Sequence, residues 1–218
     1  MSLKYEKKWQ QFKSNMNNSL KLTTHRIALV SSLLAVTTLM TLLETPPIFL
    51  PFLKIDFGNT INLIALLIIK LPYSLLIAII VPWLSLILPH FPSGNAEPIG
   101  EFAYMLNTIT LLLLYSSFKL LFKQLPFWKT QSNNSWKRLM IIEIPTIVIT
   151  CILVSLISAF YNWAFILDMY GAADLKDKIW IVFVPFNLIK FTSVLFLYLL
   201  LVRPVQMEMF SNLCNLQK

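Results

Sequence analysis

Residues 60–88 read TINLIALLIIKLPYSLLIAIIVPWLSLIL, and how this stretch is divided decides the fold. At about 1.5 Å per residue a single helix of this length would reach roughly 43 Å, against a bilayer core of about 30 Å. It is long for one span and short for two. Lys70-Leu71-Pro72 interrupts it, and a proline both lacks an amide hydrogen and clashes with the preceding turn. Charge arbitrates. With two short helices hinged at Lys70 to Pro72, one side receives the N-terminal cations, Lys70, the cluster Lys119, Lys123, Lys129, Lys137 and Arg138, then Arg203 and Lys218. The other side keeps Lys54, Lys176 and Lys178 among Glu44, Asp56, Glu97, Asp168, Asp174 and Asp177. A single helix would put the cluster outside, against the positive-inside bias.

Outward from that stretch, the first apolar run is Ile27 to Leu43, stopped at Glu44-Thr-Pro-Pro. The later runs are Ile99 to Leu121, Met140 to Phe165 and Ile179 to Val202. Pro89, Pro92, Gly94, Pro98 and the mixed segment Asp168 to Lys178 mark outer loops. The expectation is an all-α integral membrane protein of six transmembrane helices. Residues 1–25 form a basic cytoplasmic tail, 26–203 the membrane domain and 204–218 a second cytoplasmic tail.

Composition agrees. Apolar residues are 57% of the chain, charged residues 13%, and mean hydropathy is +0.70, whereas soluble domains carry about 25% charged residues. The net charge of +8 lies beside apolar runs and forms no stripe for nucleic acid. Cys151 and Cys214 belong to no metal or redox spacing, and no metal is expected. There is no GxxxxGK[ST] loop, HExxH or GxSxG motif, so nothing marks an enzyme or a P-loop ATPase. No internal repeat supports an inverted-repeat transporter. His25 and His90 both fall at membrane edges.

Ionisable groups inside a span cost about 3 kcal/mol on insertion scales and commonly mark function. Lys190 lies near the middle of the last span, and Asn187, three residues earlier, shares its helix face. Pro185 precedes both. Lys190 either meets a ligand or pairs with an acid such as Glu143 or Glu101. Glu101 opens the fourth helix, where the helix dipole favours a carboxylate, so it reads equally as a helix-end charge or a ligand contact. Glu143, placed in the first turn of the fifth helix, reads as a helix-end charge. Asn162 stands among Tyr161, Trp163 and Tyr170: an interfacial aromatic belt, or an amide among rings that would suit a planar heterocycle. Ala28, Ser32 and Ala35 put small residues along one side of the first helix, a weak helix-docking motif.

Four segments then carry a resemblance: Pro51-Phe-Leu-Lys-Ile-Asp-Phe57, Pro98-Ile-Gly-Glu-Phe-Ala103, Asn162 with Tyr170 eight residues on, and Pro185-Phe-Asn-Leu-Ile-Lys190. In this order, between these helices, they resemble substrate-binding S components of energy-coupling factor (ECF) vitamin importers, nearest the riboflavin branch, over about Arg26 to Val202. The resemblance implies a six-helix S-component bundle in a bacterial plasma membrane, both termini cytoplasmic, that captures riboflavin at the outer face as transported ligand, not cofactor. It implies as partners a transmembrane coupling protein and two cytoplasmic ATPase subunits. Carried onto this chain, Asn162, Asn187, Lys190, Glu101, Tyr104, Phe52 and Leu53 would contact substrate. The segment Leu50 to Phe57, with Pro51, Lys54, Asp56 and Phe57, would gate the pocket, Lys54 and Asp56 pairing with each other. Ala28, Ser32 and Ala35 would face the coupling protein. Asp56-Phe-Gly-Asn59, Tyr104 and Pro82-Trp83 depart from the riboflavin pattern at positions expected around the pocket. Another vitamin such as pantothenate, or a non-transporting membrane scaffold, are the alternatives.

Overall fold

The computed structural model describes residues 24–45, 53–90, 97–124 and 135–215. Among them lie six long helices: α1 Thr24–Leu42, α2 Gly58–Ile69, α3 Leu71–Ser85, α4 Pro98–Gln124, α5 Ser135–Tyr161 and α6 Val184–Asn215. Residues 60–88 divide where the sequence places the hinge. Lys70 takes φ +70°, outside helical space, and Pro72 occupies the first turn of α3, where its missing amide hydrogen costs no ladder bond. At about 1.5 Å per residue α2 spans about 18 Å and α3 about 22 Å.

Three segments are long and apolar enough to cross a membrane: Pro98–Gln124, Ile142–Met169 and Ala173–Val202. Arg26–Leu42, Gly58–Ile69 and Leu71–Ser85 are shorter apolar helices. The chain is a multi-pass membrane protein, and its surface shows why. On α5, Ile144, Val148, Ile152, Leu156 and Phe160 recur every four residues and are all exposed. That spacing is one helix face, of a kind that water-soluble monomers rarely leave uncovered. The interior carries the polar groups instead, with Thr108, Thr146, Thr150, Ser155, Ser158 and Asn187 buried.

The core that joins α2, α4, α5 and α6 is built from Leu63, Leu111, Leu112, Val154, Phe191 and Leu195. A second cluster packs the segment before α2 onto the ends of α5 and α6: Leu53 and Ile55 against Ala159, Leu167, Ile179, Phe183 and Phe186. Leu53 and Ile55 alternate with Lys54 and Asp56, the period of extended chain. A bridge between Glu44 and Asp56 and the bond from Thr45 N to Ile55 O (2.9 Å) fasten this segment to the end of α1.

Two helices depart from regular geometry. α5 passes at Asn162–Ile166 into a π-helical turn and ends as Leu167–Met169; α6 is preceded by a 3-10 turn at Ala173–Lys178 and a second π-helical turn at Ile179–Phe183. Pro185 explains the second, because it cannot donate to the carbonyl four residues back and the ladder must widen or break there. α6 also runs through Pro204 to Asn215, beyond the expected end of the last span.

Glu143 requires correction. It lies well inside α5 rather than in its first turn, and is 1% exposed. It accepts a hydrogen bond from Tyr115 and pairs with Lys119 at 2.5 Å, while the Tyr115 and Tyr198 hydroxyls are 2.8 Å apart. It therefore ties α4, α5 and α6 together instead of capping a helix. The sequence places its helix start at Met140, and Ser135 to Arg138, although helical, carry no apolar signal.

Candidate functional site

At the end of the bundle where α5 gives way to its π-helical turn lies a cavity of about 100 Å3. Its walls come from α1 (Thr41, Glu44), the extended segment (Leu53, Lys54, Asp56), α4 and the residue before it (Glu97, Gly100, Glu101, Ala103, Tyr104, Asn107), α5 and its continuation (Ser158, Asn162, Ile166, Tyr170) and α6 (Asn187, Lys190). Glu101, Tyr104, Leu53, Asn162, Asn187 and Lys190, far apart in sequence, are thus brought to one cavity, as are Lys54 and Asp56. Phe57 is partly buried and packs behind Leu53 and Ile55. Pro51 and Phe52, with Leu50, lie outside the described residues.

The polar and charged groups are arranged in chains. Lys190, 9% exposed, pairs with Asp56 across 2.8 Å. Its partner is neither Glu143 nor Glu101. Lys54 pairs with Glu44 at 3.1 Å, so the expected Lys54–Asp56 pair does not form. Each of the two residues is held by an opposite charge on another element, Lys54 by the end of α1 and Asp56 by α6. His90 is buried, with Nδ1 2.8 Å from Glu44 Oε1 and Nε2 3.2 Å from the Ser85 carbonyl and 3.6 Å from Glu101 Oε1. A continuous chain of polar contacts runs Lys54, Glu44, His90, Glu101. Glu44, His90 and Glu101 offer metal-ligand atoms within 4.8 Å of one another, but Glu44 spends one oxygen on His90 and the other on Lys54.

Several lining groups are buried with a polar atom that bonds to nothing in the protein: Asp56 Oδ1, Glu101 Oε2, Asn107 Oδ1, Ser158 Oγ and Asn187 Nδ2. Such atoms cost about 1–3 kcal/mol each unless a partner arrives. Their concentration around one cavity is what a polar ligand would relieve. Asn187 and Lys190 share a face of α6 by their spacing, and the proline-widened turn before them sets that face against the cavity. Asn162 opens the other π-helical turn and donates from Nδ2 to the Ser158 carbonyl at 2.8 Å. A side-chain donor on a main-chain carbonyl competes with the helical ladder, and π-helical turns recur at functional sites.

Tyr104 is fixed from behind: Thr41 Oγ1 donates to its hydroxyl at 3.4 Å and Asn62 Nδ2 at 3.3 Å. Gly58 makes this approach of α2 to α1 possible. A Cβ there would collide with Thr41 Oγ1 and lie 2.7 Å from the Tyr104 hydroxyl. Tyr170 also lines the cavity, and burial first, then Glu97, pushes its hydroxyl above the usual phenol range. It stays a neutral hydrogen-bonding group at physiological pH. Of the other rings near Asn162, Tyr161 bonds Thr110 at 3.1 Å and Trp163 is exposed, as an interfacial belt requires.

The departures separate. Tyr104 faces the cavity, Gly58 and Asn59 stand behind it with Asn59 Oδ1 accepting from Thr108 at 2.6 Å, and Pro82 is buried with its carbonyl accepting from Ser85 Oγ at 2.7 Å, whereas Trp83 is 59% exposed. The expectation that Trp83 belongs to the pocket's surroundings is therefore not met, because α3 turns that face outward. On α1, Ala28, Ser32 and Ala35 are all exposed. Asn107, Ser158, Thr41 and the His90 chain were not read from sequence. Asn107 and Ser158 are two helical turns or less from Glu101 and Asn162, a spacing that could have drawn attention to them.

No protein-family model matches the chain, and no curated protein matches it. A solved structure described as "Structure and mechanism of the S component of a bacterial ECF transporter" superposes with a TM-score of 0.64 at 23% identity, over 85% of this chain and 97% of that one. The likeness establishes the fold: this chain is an all-α bundle of the ECF S-component type.

Proposed function

We propose that this chain is the substrate-capturing S component of an ATP-driven ECF-type importer, and that it binds a water-soluble vitamin, riboflavin before others. One observation carries the reading: a cavity at one end of an S-component-type bundle, walled by Lys190, Asn187, Asn162, Glu101 and Tyr104, with several polar atoms unpaired. Amide and ammonium groups would meet the edge of an isoalloxazine ring, while Tyr104 and Tyr170 would flank its faces.

The cavity's size calls for an opening motion in this reading. Small-molecule pockets measure about 300–1,000 Å3, several times the present volume. A flavin would enter only if the segment from Leu53 to Phe57 moved, parting Asp56 from Lys190 and freeing the ammonium for the ligand. Lys54, Glu44 and His90 would serve as the latch on that segment. The small cavity also favours the second reading, a smaller vitamin such as pantothenate, whose carboxylate Lys190 would accept.

All six helices would contribute to the membrane domain 26–203, with residues 1–25 and 204–218, the last turns of α6 included, on the cytoplasmic side of a bacterial plasma membrane. The cavity would open outward. The exposed Ala28, Ser32 and Ala35 would admit a helix of the transmembrane coupling protein, and two ATPase subunits would supply the energy this chain has no motif to harvest. The protein itself would catalyse nothing.

Titration of the detergent-purified protein with riboflavin, followed by quenching of flavin fluorescence, tests the proposal. Saturable binding of one flavin per chain is expected. Saturable binding of pantothenate alone would move the assignment to the second ligand, and binding of neither vitamin would leave the scaffold reading.

A further inference from the structure

Far from the vitamin cavity along α4, where α2 breaks into α3, lies a second cavity of about 460 Å3. Its walls are of two kinds. Leu66, Leu67, Leu71 and Leu120 give it an aliphatic side, while Lys70, Lys119, Lys123 and Ser116 give it a polar one, with Tyr115 and Tyr198 completing the lining. Lys119 and Lys123 are one turn apart on the same face of α4. Lys70 is brought to them by its left-handed backbone, which ends α2 and leaves the side chain exposed at the break.

The charges do not cancel. Lys119 is matched by Glu143, but no acid among the described residues pairs with Lys70 or Lys123, and both are exposed. Two uncompensated cations beside a leucine wall, in a protein whose outer faces are apolar, match an amphiphile with an anionic head. An inorganic anion would use the lysines and leave the leucines idle. A neutral lipid would leave the lysines unmatched.

We propose that this cavity binds the phosphodiester headgroup of an anionic phospholipid, with Lys70 and Lys123 on the phosphate and the acyl chains along Leu66, Leu67, Leu71 and Leu120. Lys119 stays with Glu143 and holds the wall in place. Basic pockets between membrane helices are suited to such headgroups, and each lysine near an anionic surface changes binding by about fivefold. The site is independent of the vitamin cavity, which is lined by none of these residues.

The test is native mass spectrometry of the full-length protein from micelles containing equal phosphatidylglycerol and phosphatidylcholine. A retained phosphatidylglycerol adduct is expected on the wild type, reduced about fivefold in Lys70→Gln or Lys123→Gln and roughly thirtyfold in the double variant. A melting temperature in detergent unchanged by the double variant shows that the bundle is intact. Equal retention of the two lipids, or undiminished phosphatidylglycerol on the double variant, would overturn the proposal. Displacement of the lipid by millimolar inorganic phosphate, with no preference for its acyl chains, would likewise overturn it in favour of a free-anion site.

Discussion

Asp56 Oδ2 and Lys190 Nζ lie 2.8 Å apart, joining the extended segment before α2 to the second turn of α6 across the cavity. Both residues are buried, and Asp56 Oδ1 has no partner. A buried pair of this kind contributes little net stability, yet removing one member strands the other. The pair is therefore well placed to be exchanged: a ligand that meets Lys190 can take over from Asp56 without leaving a charge alone.

Lys190→Met is expected to strand Asp56 and lower stability by about 3–5 kcal/mol, and Asp56→Asn to do the reverse to Lys190. The Asp56→Asn/Lys190→Met double variant should lose less than the sum of the two. A double-mutant cycle on unfolding in detergent measures this coupling; additive losses would show that the two charges do not depend on each other.

Asn187→Ala removes an amide whose Nδ2 is buried and unpaired. Ligand affinity should fall by about 1–3 kcal/mol with little change in melting temperature, because no protein contact of that Nδ2 is lost. Vitamin titration of this variant checks it. Unchanged affinity would place the ligand away from α6.

Gly58→Ala puts a methyl against the Thr41 side chain and the Tyr104 hydroxyl, and these must shift to admit it. Overpacking of this kind costs about 1–3 kcal/mol. The melting temperature should drop, and affinity should drop with it because Tyr104 lines the cavity. A variant that melts as the wild type does would show that α1 and α2 separate easily.

Glu143→Gln weakens the tie among α4, α5 and α6 and leaves Lys119 without its counter-charge. The expected effect is loss of stability at the end opposite the cavity of Lys190 and Asn187, read as faster amide exchange around Tyr115 and Tyr198. Vitamin affinity should not change. A selective loss of affinity would mean that the two ends of the bundle are coupled.

Ala28→Leu with Ala35→Leu fills the exposed face of α1 without touching the cavity. Vitamin affinity is expected to hold while assembly with the coupling protein fails in co-purification. Normal assembly would assign docking to another surface.

Much of the architecture was legible because it is written in long apolar runs and in one break. Lys70 and Pro72 carry their own physics, and the structure divides residues 60–88 at that point. The span ends were less legible: Ser135 to Arg138 and the residues after Val202 are helical without being apolar. Lys190 and Asn187 could be found from the cost of polar groups in lipid. What no periodicity reveals is pairing. Lys54 and Asp56 are two residues apart, yet each is claimed by a distant element, and His90 joins Glu44 and Glu101 only after α1, α3 and α4 have packed.

The most direct measurement is the absorption spectrum of the protein purified in detergent, followed by flavin fluorescence of the supernatant after denaturation. The account predicts a yellow preparation that releases about one flavin per chain, or a colourless one that becomes yellow and stays so when riboflavin is added and the excess removed. A preparation that neither carries flavin nor retains it when offered would contradict the riboflavin assignment.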